Sequence, residues 1–240
     1  MGRLRLYVLA LLFTVPVGVD AQNIYLLSVG VANYPGTVND LYLAADDAIA
    51  MHKLYQQNTN ATSILLTNSL ASKSRILSEA NLLFSNAKPD DIVVFFFSGH
   101  GGDGGFYAHD GLLSYEEVRR VFSSCRARNK MIFADACFAG DMRENSGPSF
   151  SNPTNNVMLF LSSRSREYSN ENPRTMRNGM FAACLLRSLK GGADLNRDRV
   201  ITAKELYTTV RNGVVRLSAN KQHPVMWGNF ADTMPVMIWK

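Results

Sequence analysis

Two residues that together can perform nucleophilic catalysis stand in similar surroundings in this chain. His100 belongs to FFFSGHGGDGG (95–105), where an apolar run passes directly into glycines, and Cys137 belongs to KMIFADACFAG (130–140), where a second apolar run ends in small residues. A thiolate attacks carbonyl carbons, and a nearby imidazole can accept the thiol proton and later protonate the leaving group. The two residue types therefore indicate acyl chemistry, provided that the fold brings them together.

An alternation of strand and helix patterns predicts how the chain positions these residues. Continuous apolar runs predict strands over 24–31, 63–67, 91–98, 130–134, 156–163 and 234–239. Helical spacing predicts helices over 39–58, 72–87, 114–125, 180–190 and 202–218. This order predicts an α/β fold with a mostly parallel sheet and helices on both faces. Functional groups of such sheets gather past the carboxyl ends of the strands, where His100 and Cys137 both lie.

Taken singly, each residue has an ordinary structural explanation. A lone cysteine after a strand is more often a small buried hydrophobe, and a lone histidine beside glycines is more often a loop residue. Their joint placement after neighbouring strands favours chemistry instead. The glycines around His100 would also let backbone N–H groups approach a substrate carbonyl, as an oxyanion hole requires.

Two helices carry more detailed predictions. Ser114 and Glu117 have capping-box spacing and predict a helix start. The expected core side of the first helix consists of Ala45, Ala48, Ile49 and His52.

The amino-terminal segment predicts export. Residues 1–21 combine a positively charged start, an apolar run over 6–19 and a small-residue cleavage site, which is typical of a signal peptide. The apolar run is short for a membrane span, so we favour a cleaved signal over an uncleaved anchor. We expect one domain over 22–240, exported to the periplasm or beyond the cell, with no stable membrane span after cleavage. The sequence does not indicate an oligomeric state.

Composition and cysteine count narrow the function classes further. The chain has 240 residues, 46% of them hydrophobic, and a net charge of +5. Its arginines are scattered without interleaved aromatic residues, which argues against a nucleic-acid partner. The three cysteines do not make a disulfide framework. Cys125 and Cys184 fall within helical patterns beside apolar residues, and we assign them to packing.

The motifs around the two candidate residues resemble those of the caspase and metacaspase superfamily of cysteine peptidases. SGHG (98–101) and DACFAG (135–140) are similar to its histidine and cysteine motifs, and the likeness extends from GVANYPGTVNDLYLAADDA (30–48) to GMFAACLL (179–186). The resemblance implies a three-layer α/β/α sandwich of the caspase-hemoglobinase type. It also implies an endopeptidase that needs no cofactor and acts on proteins or peptides.

The resemblance further implies a role for each residue of the site. Cys137 would be the nucleophile, His100 the general base and acid, and the backbone N–H groups of Gly101 and Cys137 the oxyanion hole. Metacaspases usually carry a histidine directly after the cysteine, and this chain has Phe138 there. Because that position does not supply the base, the expected activity is unaffected.

Substrate preference follows from the same resemblance. Metacaspases bind arginine or lysine before the scissile bond through acidic residues, and Asp135, Asp40 and Ser98 match those positions. The arginine with which caspases bind aspartate has no counterpart, since Glu171 stands where it is expected. Two carboxylates favour a cationic side chain by charge-assisted pairing. We therefore predict cleavage after Arg or Lys. The competing roles are a turn-stabilising carboxylate for Asp135 and a helix N-cap for Asp40.

A segment near the carboxyl end predicts a calcium site. In DLNRDRVITAKE (194–205), the ligand positions of a twelve-residue EF-hand loop are occupied by Asp194, Asn196, Asp198 and Glu205. The sixth position, normally glycine, is Arg199. The alternative is a capping box formed by Thr202 and Glu205.

Two other functions remain open from the residues alone. One is a catalytically silent caspase-like domain used for binding or assembly. The other is acyl transfer or ligation through the same thioester chemistry.

Overall fold

A six-stranded sheet forms the middle of the computed structural model, which describes residues 22–136, 157–164 and 176–239. In that part of the chain the strands are β1 (Ile24–Gly30), β2 (Ala61–Thr67), β3 (Ile92–Ser98), β4 (Gly101–Gly102), β5 (Gly105–Ala108), β6 (Gly111–Ser114), β7 (Asn129–Asp135), β8 (Val157–Leu161), β9 (Val200–Thr202), β10 (Val225–Gly228) and β11 (Pro235–Ile238). The main sheet has the order β10-β8-β7-β3-β1-β2. All its neighbouring pairs are parallel except β10 with β8, which confirms the predicted mostly parallel sheet.

Helices cover both faces of the sheet and complete three layers. They are α1 (Ala44–Tyr55), α2 (Lys73–Ser85), α3 (Tyr115–Ser124), α4 (Met180–Arg187) and α5 (Ala203–Leu217). Helices α2 and α3 pack on one face, while α1, α4 and α5 pack on the other. Each face buries its own apolar cluster, as expected for an α/β sandwich. The predicted fold class is therefore confirmed.

The three consecutive phenylalanines are explained by this layering. Side chains alternate along a strand, so Phe95 and Phe97 join the α2–α3 cluster while Phe96 joins the opposite one. All three are essentially buried. A strand between two helical layers must be apolar on both sides, and β3 ends at Ser98, just before His100.

The glycines after His100 form a small antiparallel sheet that the sequence patterns did not predict. Strands β4, β5 and β6 pair in that order directly after the histidine. The turn between β4 and β5 contains Gly104 with φ of +78°, a conformation that glycine adopts without strain. Such short glycine-rich strands show no alternation of apolar and polar residues, so their period could not be detected.

The predicted helix boundaries lie within about three residues of the observed ones, except at the start of α1. The capping box of Ser114 and Glu117 is present at the start of α3. Helix α1, however, begins at Ala44 rather than at residue 39. Its predicted core side was also wrong, because Ala45, Ile49 and His52 are only half-buried. The buried side of α1 consists of Ala44, Asp47, Ala48, Met51, Leu54 and Tyr55.

Two remaining predictions concern cysteines and membranes. Cys125 lies in the α2–α3 cluster and Cys184 packs against the opposite one, in agreement with structural roles. The predicted signal peptide lies outside the described residues. Within the described part of the chain, no helix has the length and apolarity needed to cross a bilayer.

Candidate active site

The ring of His100 is held by a backbone carbonyl from the loop after β1. Its Nε2 lies 2.7 Å from the carbonyl oxygen of Asn39. A carbonyl oxygen only accepts hydrogen bonds, so Nε2 carries a proton and donates it. In the neutral ring, Nδ1 then has a free lone pair. His100 is thereby prepared to accept a proton at Nδ1.

The backbone of His100 is fixed by Tyr34. The His100 N–H donates to the Tyr34 hydroxyl at 2.9 Å, and that hydroxyl donates to the carbonyl of Tyr107 at 3.2 Å. The two rings also pack, with centroids 4.9 Å apart. On the other side, the Tyr107 N–H donates to the His100 carbonyl at 2.9 Å. The histidine is therefore restrained through its ring and through both of its peptide groups.

Cys137 lies outside the described residues, but the chain that leads to it is well anchored. The Gly99 N–H donates to the Asp135 carbonyl at 3.2 Å. This hydrogen bond joins the segment just before His100 to the segment just before Cys137. Ala136 is held by Ser162, whose hydroxyl accepts from its N–H and donates to its carbonyl, each at 3.2 Å. Gly101 lines the same cleft as His100. The pairing of Cys137 with His100, and the oxyanion role of Gly101 and Cys137, stay predictions.

Two carboxylates meet at the carboxyl ends of β3 and β7. Ser98 and Asp135 are direct neighbours in the parallel register, and both side chains are buried. The Ser98 hydroxyl donates to Oδ2 of Asp47 at 2.9 Å. A Cβ on Gly179 would lie 2.7 Å from Oδ2 of Asp135 and 3.2 Å from Oδ2 of Asp47, so both carboxylates crowd against this glycine. Asp47, Ser98 and Asp135 form what we call the acidic group.

The start of α4 supplies hydrogen bonds to the acidic group. Oδ1 of Asp47 accepts from the Asn178 side chain at 2.9 Å and from the Gly179 N–H at 3.0 Å. Oδ2 of Asp135 accepts from the Ala182 N–H at 3.1 Å. Free N–H groups at a helix start attract negative charge, which helps to keep these carboxylates at this position.

Burial and the neighbouring Asp135 charge both act on the pKa of Asp47. Asp47 is 1% exposed. Loss of hydration raises the pKa of its carboxyl well above its usual value, and the nearby Asp135 charge raises that pKa further, against the opposing effect of its hydrogen bonds. Asp47 therefore holds a proton more tightly than an exposed carboxyl does, and positive charge nearby would favour its ionised form.

Asp40 has a hydrogen bond of its own in the loop after β1. Oδ1 of Asp40 accepts from the Tyr34 N–H at 2.7 Å, within the loop that also presents the Asn39 carbonyl to His100. Asp40 does not cap α1, whose N-cap is Leu43 without a side-chain hydrogen bond. The geometry thus gives Asp40 a loop-stabilising contact, and its predicted contact with substrate stays a prediction.

Sequence reasoning missed Asp47, although a signal was present. Ala44, Ala48 and Met51 form an apolar stripe at helical spacing, and Asp47 stands on that stripe. A charged residue on the buried side of a helix costs stability unless it is paired or hydrogen-bonded, so it indicates a site. Asp46, its neighbour, is exposed.

In the predicted calcium loop, the carboxylates are engaged with backbone amides. Asp194 accepts from the N–H groups of Asp198 and Arg199, both at 3.1 Å, and Asn196 accepts from the Asp198 N–H at 3.1 Å. Arg199 has φ of +68°, the conformation for which EF-hands use glycine.

Glu205, the last of the proposed ligands, is part of the alternative structure. It forms the capping box of α5 with Thr202, and its second oxygen accepts from the Leu195 N–H at 3.3 Å. Over the described residues, no cluster of three or more metal-ligating side chains is found. The helix cap is present, and calcium binding stays a prediction.

Comparison with known proteins agrees with this architecture. The family model described as the caspase domain matches residues 25–234, and the chain belongs to that family. Membership of this peptidase family agrees with a cysteine-peptidase-like fold and with protein substrates. A search of curated proteins finds no significant match.

Two solved structures share the fold at low sequence identity. Protein GSU0716 from Geobacter sulfurreducens superimposes with a TM-score of 0.68 at 15% identity, over 91% of this chain and 100% of that one. Caspase-1 from Spodoptera frugiperda gives a TM-score of 0.67 at 18% identity, over 91% of this chain and 90% of that one. The likeness concerns the fold.

Proposed function

We propose that this protein is an exported cysteine endopeptidase in which Cys137 is the nucleophile and His100 the general base and acid. The observation that carries the proposal is the hydrogen bond from Nε2 of His100 to the Asn39 carbonyl. It leaves Nδ1 as the basic atom at the carboxyl edge of the sheet. The Gly99–Asp135 backbone hydrogen bond supports a close approach of the two segments that carry the dyad.

The proposed reaction begins with proton transfer from the Cys137 thiol to Nδ1 of His100. The thiolate attacks the carbonyl carbon of the scissile bond, and Nδ1 returns its proton to the departing amine. Nδ1 then activates a water molecule that hydrolyses the thioester and restores the thiol. While His100 is protonated, the Asn39 carbonyl stabilises its Nε2–H. These reaction steps require no metal or cofactor.

The negative charge on the substrate oxygen needs donors in a fixed position. We assign these donors to the N–H groups of Gly101 and Cys137, as the family resemblance implies. The hairpin that follows His100 supports this assignment. Because β4 begins at Gly101 and pairs with β5, the direction of its peptide groups is fixed before substrate arrives.

Preference for Arg or Lys before the scissile bond is proposed to come from the acidic group. A guanidinium or ammonium group would offset the repulsion between Asp47 and Asp135. Because the cation would itself be paired with these carboxylates, the cost of burying its charge would be compensated. Ser98 fixes the orientation of the Asp47 carboxylate. This proposal adds Asp47 to the residues predicted from sequence. We keep Asp40 as a predicted contact at the edge of the site.

Covalent labelling tests the enzyme against a silent binding domain. A peptide ending in arginine with an electrophilic carbonyl should add its mass to the wild-type protein at Cys137. Cys137→Ala should gain no mass, and Cys125→Ala should be labelled like the wild type because Cys125 is buried. Absence of labelling in the wild type would contradict the proposal and favour the binding domain.

A further inference from the structure

A cleft lies beside His100, and none of the three residues of the acidic group lines it. It has a volume of about 360 Å³ and is lined by Tyr34, Asn39, His100, Gly101 and Tyr107. We call it the tyrosine cleft. Its size falls near the lower end of pockets that hold small organic groups, which span about 300–1,000 Å³. It is therefore large enough for one side chain of a peptide.

The tyrosine cleft and the acidic group lie toward opposite faces of the sheet. Tyr34 packs against the α2–α3 cluster, whereas Asp47 belongs to α1 on the other face. Ser98 of the acidic group ends β3, and His100 of the tyrosine cleft follows two residues later in the chain. A peptide substrate that lies across the carboxyl ends of the strands can therefore place one side chain at the acidic group and the next side chain in the tyrosine cleft.

The chemistry decides which substrate residue reaches the cleft. The inference rests on the proposed function, in which His100 donates a proton to the departing amine. That nitrogen must come within about 2.6–3.2 Å of the histidine ring. It belongs to the residue that follows the scissile bond, and the ring lines the tyrosine cleft. The side chain of that residue therefore starts at the mouth of the cleft.

The walls of the cleft indicate the kind of side chain it accepts. Of the described residues that line the cleft, none is a lysine, arginine, aspartate or glutamate. Tyr107 is 43% exposed, and its ring lies over Gly102, where an added Cβ would come within 2.8 Å of the ring. An exposed ring supported from behind offers its free face for packing. Aromatic rings pack favourably in stacked or edge-on arrangements.

We propose that the tyrosine cleft receives the side chain immediately after the scissile bond and selects an aromatic residue there. The enzyme then cleaves between a basic residue and an aromatic one. Tyr107 is the specificity-determining residue, and Tyr34 also lines the cleft while its hydroxyl holds the His100 backbone. The acidic group binds the side chain before the scissile bond, and the tyrosine cleft binds the side chain after it.

Matched peptides test this selection. Fluorescence-quenched peptides share arginine before the bond and carry phenylalanine, tyrosine, glycine or aspartate after it. The aromatic peptides should be cleaved about threefold to tenfold faster in kcat/KM than the glycine peptide. In Tyr107→Ala that ratio should fall to about one. Tyr42→Ala, which removes an exposed tyrosine outside the cleft, should keep the wild-type ratio.

A second readout probes the cleft after the first product has left. An added amine attacks the Cys137 thioester, the sulfur leaves as thiol, and a new amide forms in place of the acid. Phenylalaninamide should compete with water better than glycinamide does, as measured by product mass. Tyr107→Ala should abolish the difference. The partition of the thioester between amine and water does not depend on how fast the thioester forms. A variant that is only slower or partly unfolded should therefore keep the wild-type ratio of the two products.

The possible results separate the two proposals. Cleavage of all arginine peptides at equal rates, with equal use of both amines, would overturn the aromatic preference and leave the peptidase intact. A faster rate for glycine would overturn it equally. No cleavage of any arginine peptide would overturn the proposed function and, with it, this inference.

Discussion

The hydroxyl of Ser98 donates to the carboxylate of Asp47 at 2.9 Å, although the two residues are 51 positions apart in the chain. Ser98 is the last residue of β3, and Asp47 lies in the first turn of α1, the helix that follows β1. Ser98 was predicted from the histidine motif to contact substrate, whereas no motif indicated Asp47. The hydrogen bond between them places Asp47 beside the predicted substrate-binding residue.

Asp47→Asn should reduce cleavage after arginine while leaving the fold intact. The amide keeps the shape of the side chain but removes the charge that would pair with a guanidinium. Loss of one charge-assisted hydrogen bond predicts a fall in kcat/KM of about 10- to 100-fold for arginine peptides. The matched control is Asp46→Asn at the exposed neighbouring position. Equal effects of the two substitutions would contradict the assignment.

Asp47 should also make stability depend on pH. Its pKa in the folded protein is raised above the ordinary value of 3.8, mainly by burial and then by the Asp135 charge. The folded state therefore binds the proton more tightly than the unfolded chain, and this contribution to stability is lost as pH rises through the folded pKa.

Urea unfolding measured between about pH 4 and about pH 8 tests this dependence. The free energy of unfolding of Asp47→Asn, relative to the wild type, should increase as pH rises and then level off. A difference that stays constant over the whole range would show that Asp47 titrates normally in the folded protein.

Tyr34→Phe should lower kcat with little change in KM. The substitution keeps the ring against His100 but removes the hydroxyl that accepts the His100 N–H. A less well-fixed base predicts a loss of about fivefold to tenfold in kcat. Tyr42→Phe is the control at an exposed position. A change in KM alone would mean that Tyr34 acts in substrate binding instead.

The loop over 194–205 yields a prediction with and without calcium. Asp194→Ala removes two hydrogen bonds to backbone N–H groups, so it should lower Tm by several degrees in calcium-free buffer. If the loop also binds calcium, adding the ion should raise the Tm of the wild type but not that of the variant. An unchanged wild-type Tm would contradict calcium binding and leave the hydrogen-bonding role in place.

The parts of the fold that follow from local pattern were predictable. Apolar runs identify β3 and β7, and parallel strands end at one edge, so the proximity of Ser98 and Asp135 could be expected. The capping box at Ser114 is likewise written in neighbouring residues. These features depend on side-chain type and spacing, which a sequence displays directly.

The parts that depend on tertiary contacts were not predictable in the same way. The acceptor that orients His100 is the backbone carbonyl of Asn39, and a backbone group carries no residue-type signal. The buried side of α1 was assigned one position away from the true one, because alanines occur on both sides of the helix. That shift concealed Asp47 on the buried side.

Turnover of reporter peptides that carry Arg, Lys or Asp before the scissile bond tests whether the protein is a cysteine peptidase of basic specificity. Wild-type protein and Cys137→Ala are compared at equal concentration. We expect the wild type to cleave the Arg and Lys peptides and to cleave little of the Asp peptide, and we expect the variant to cleave none of them. Preferred turnover of the Asp peptide, or equal turnover by Cys137→Ala, would contradict this expectation.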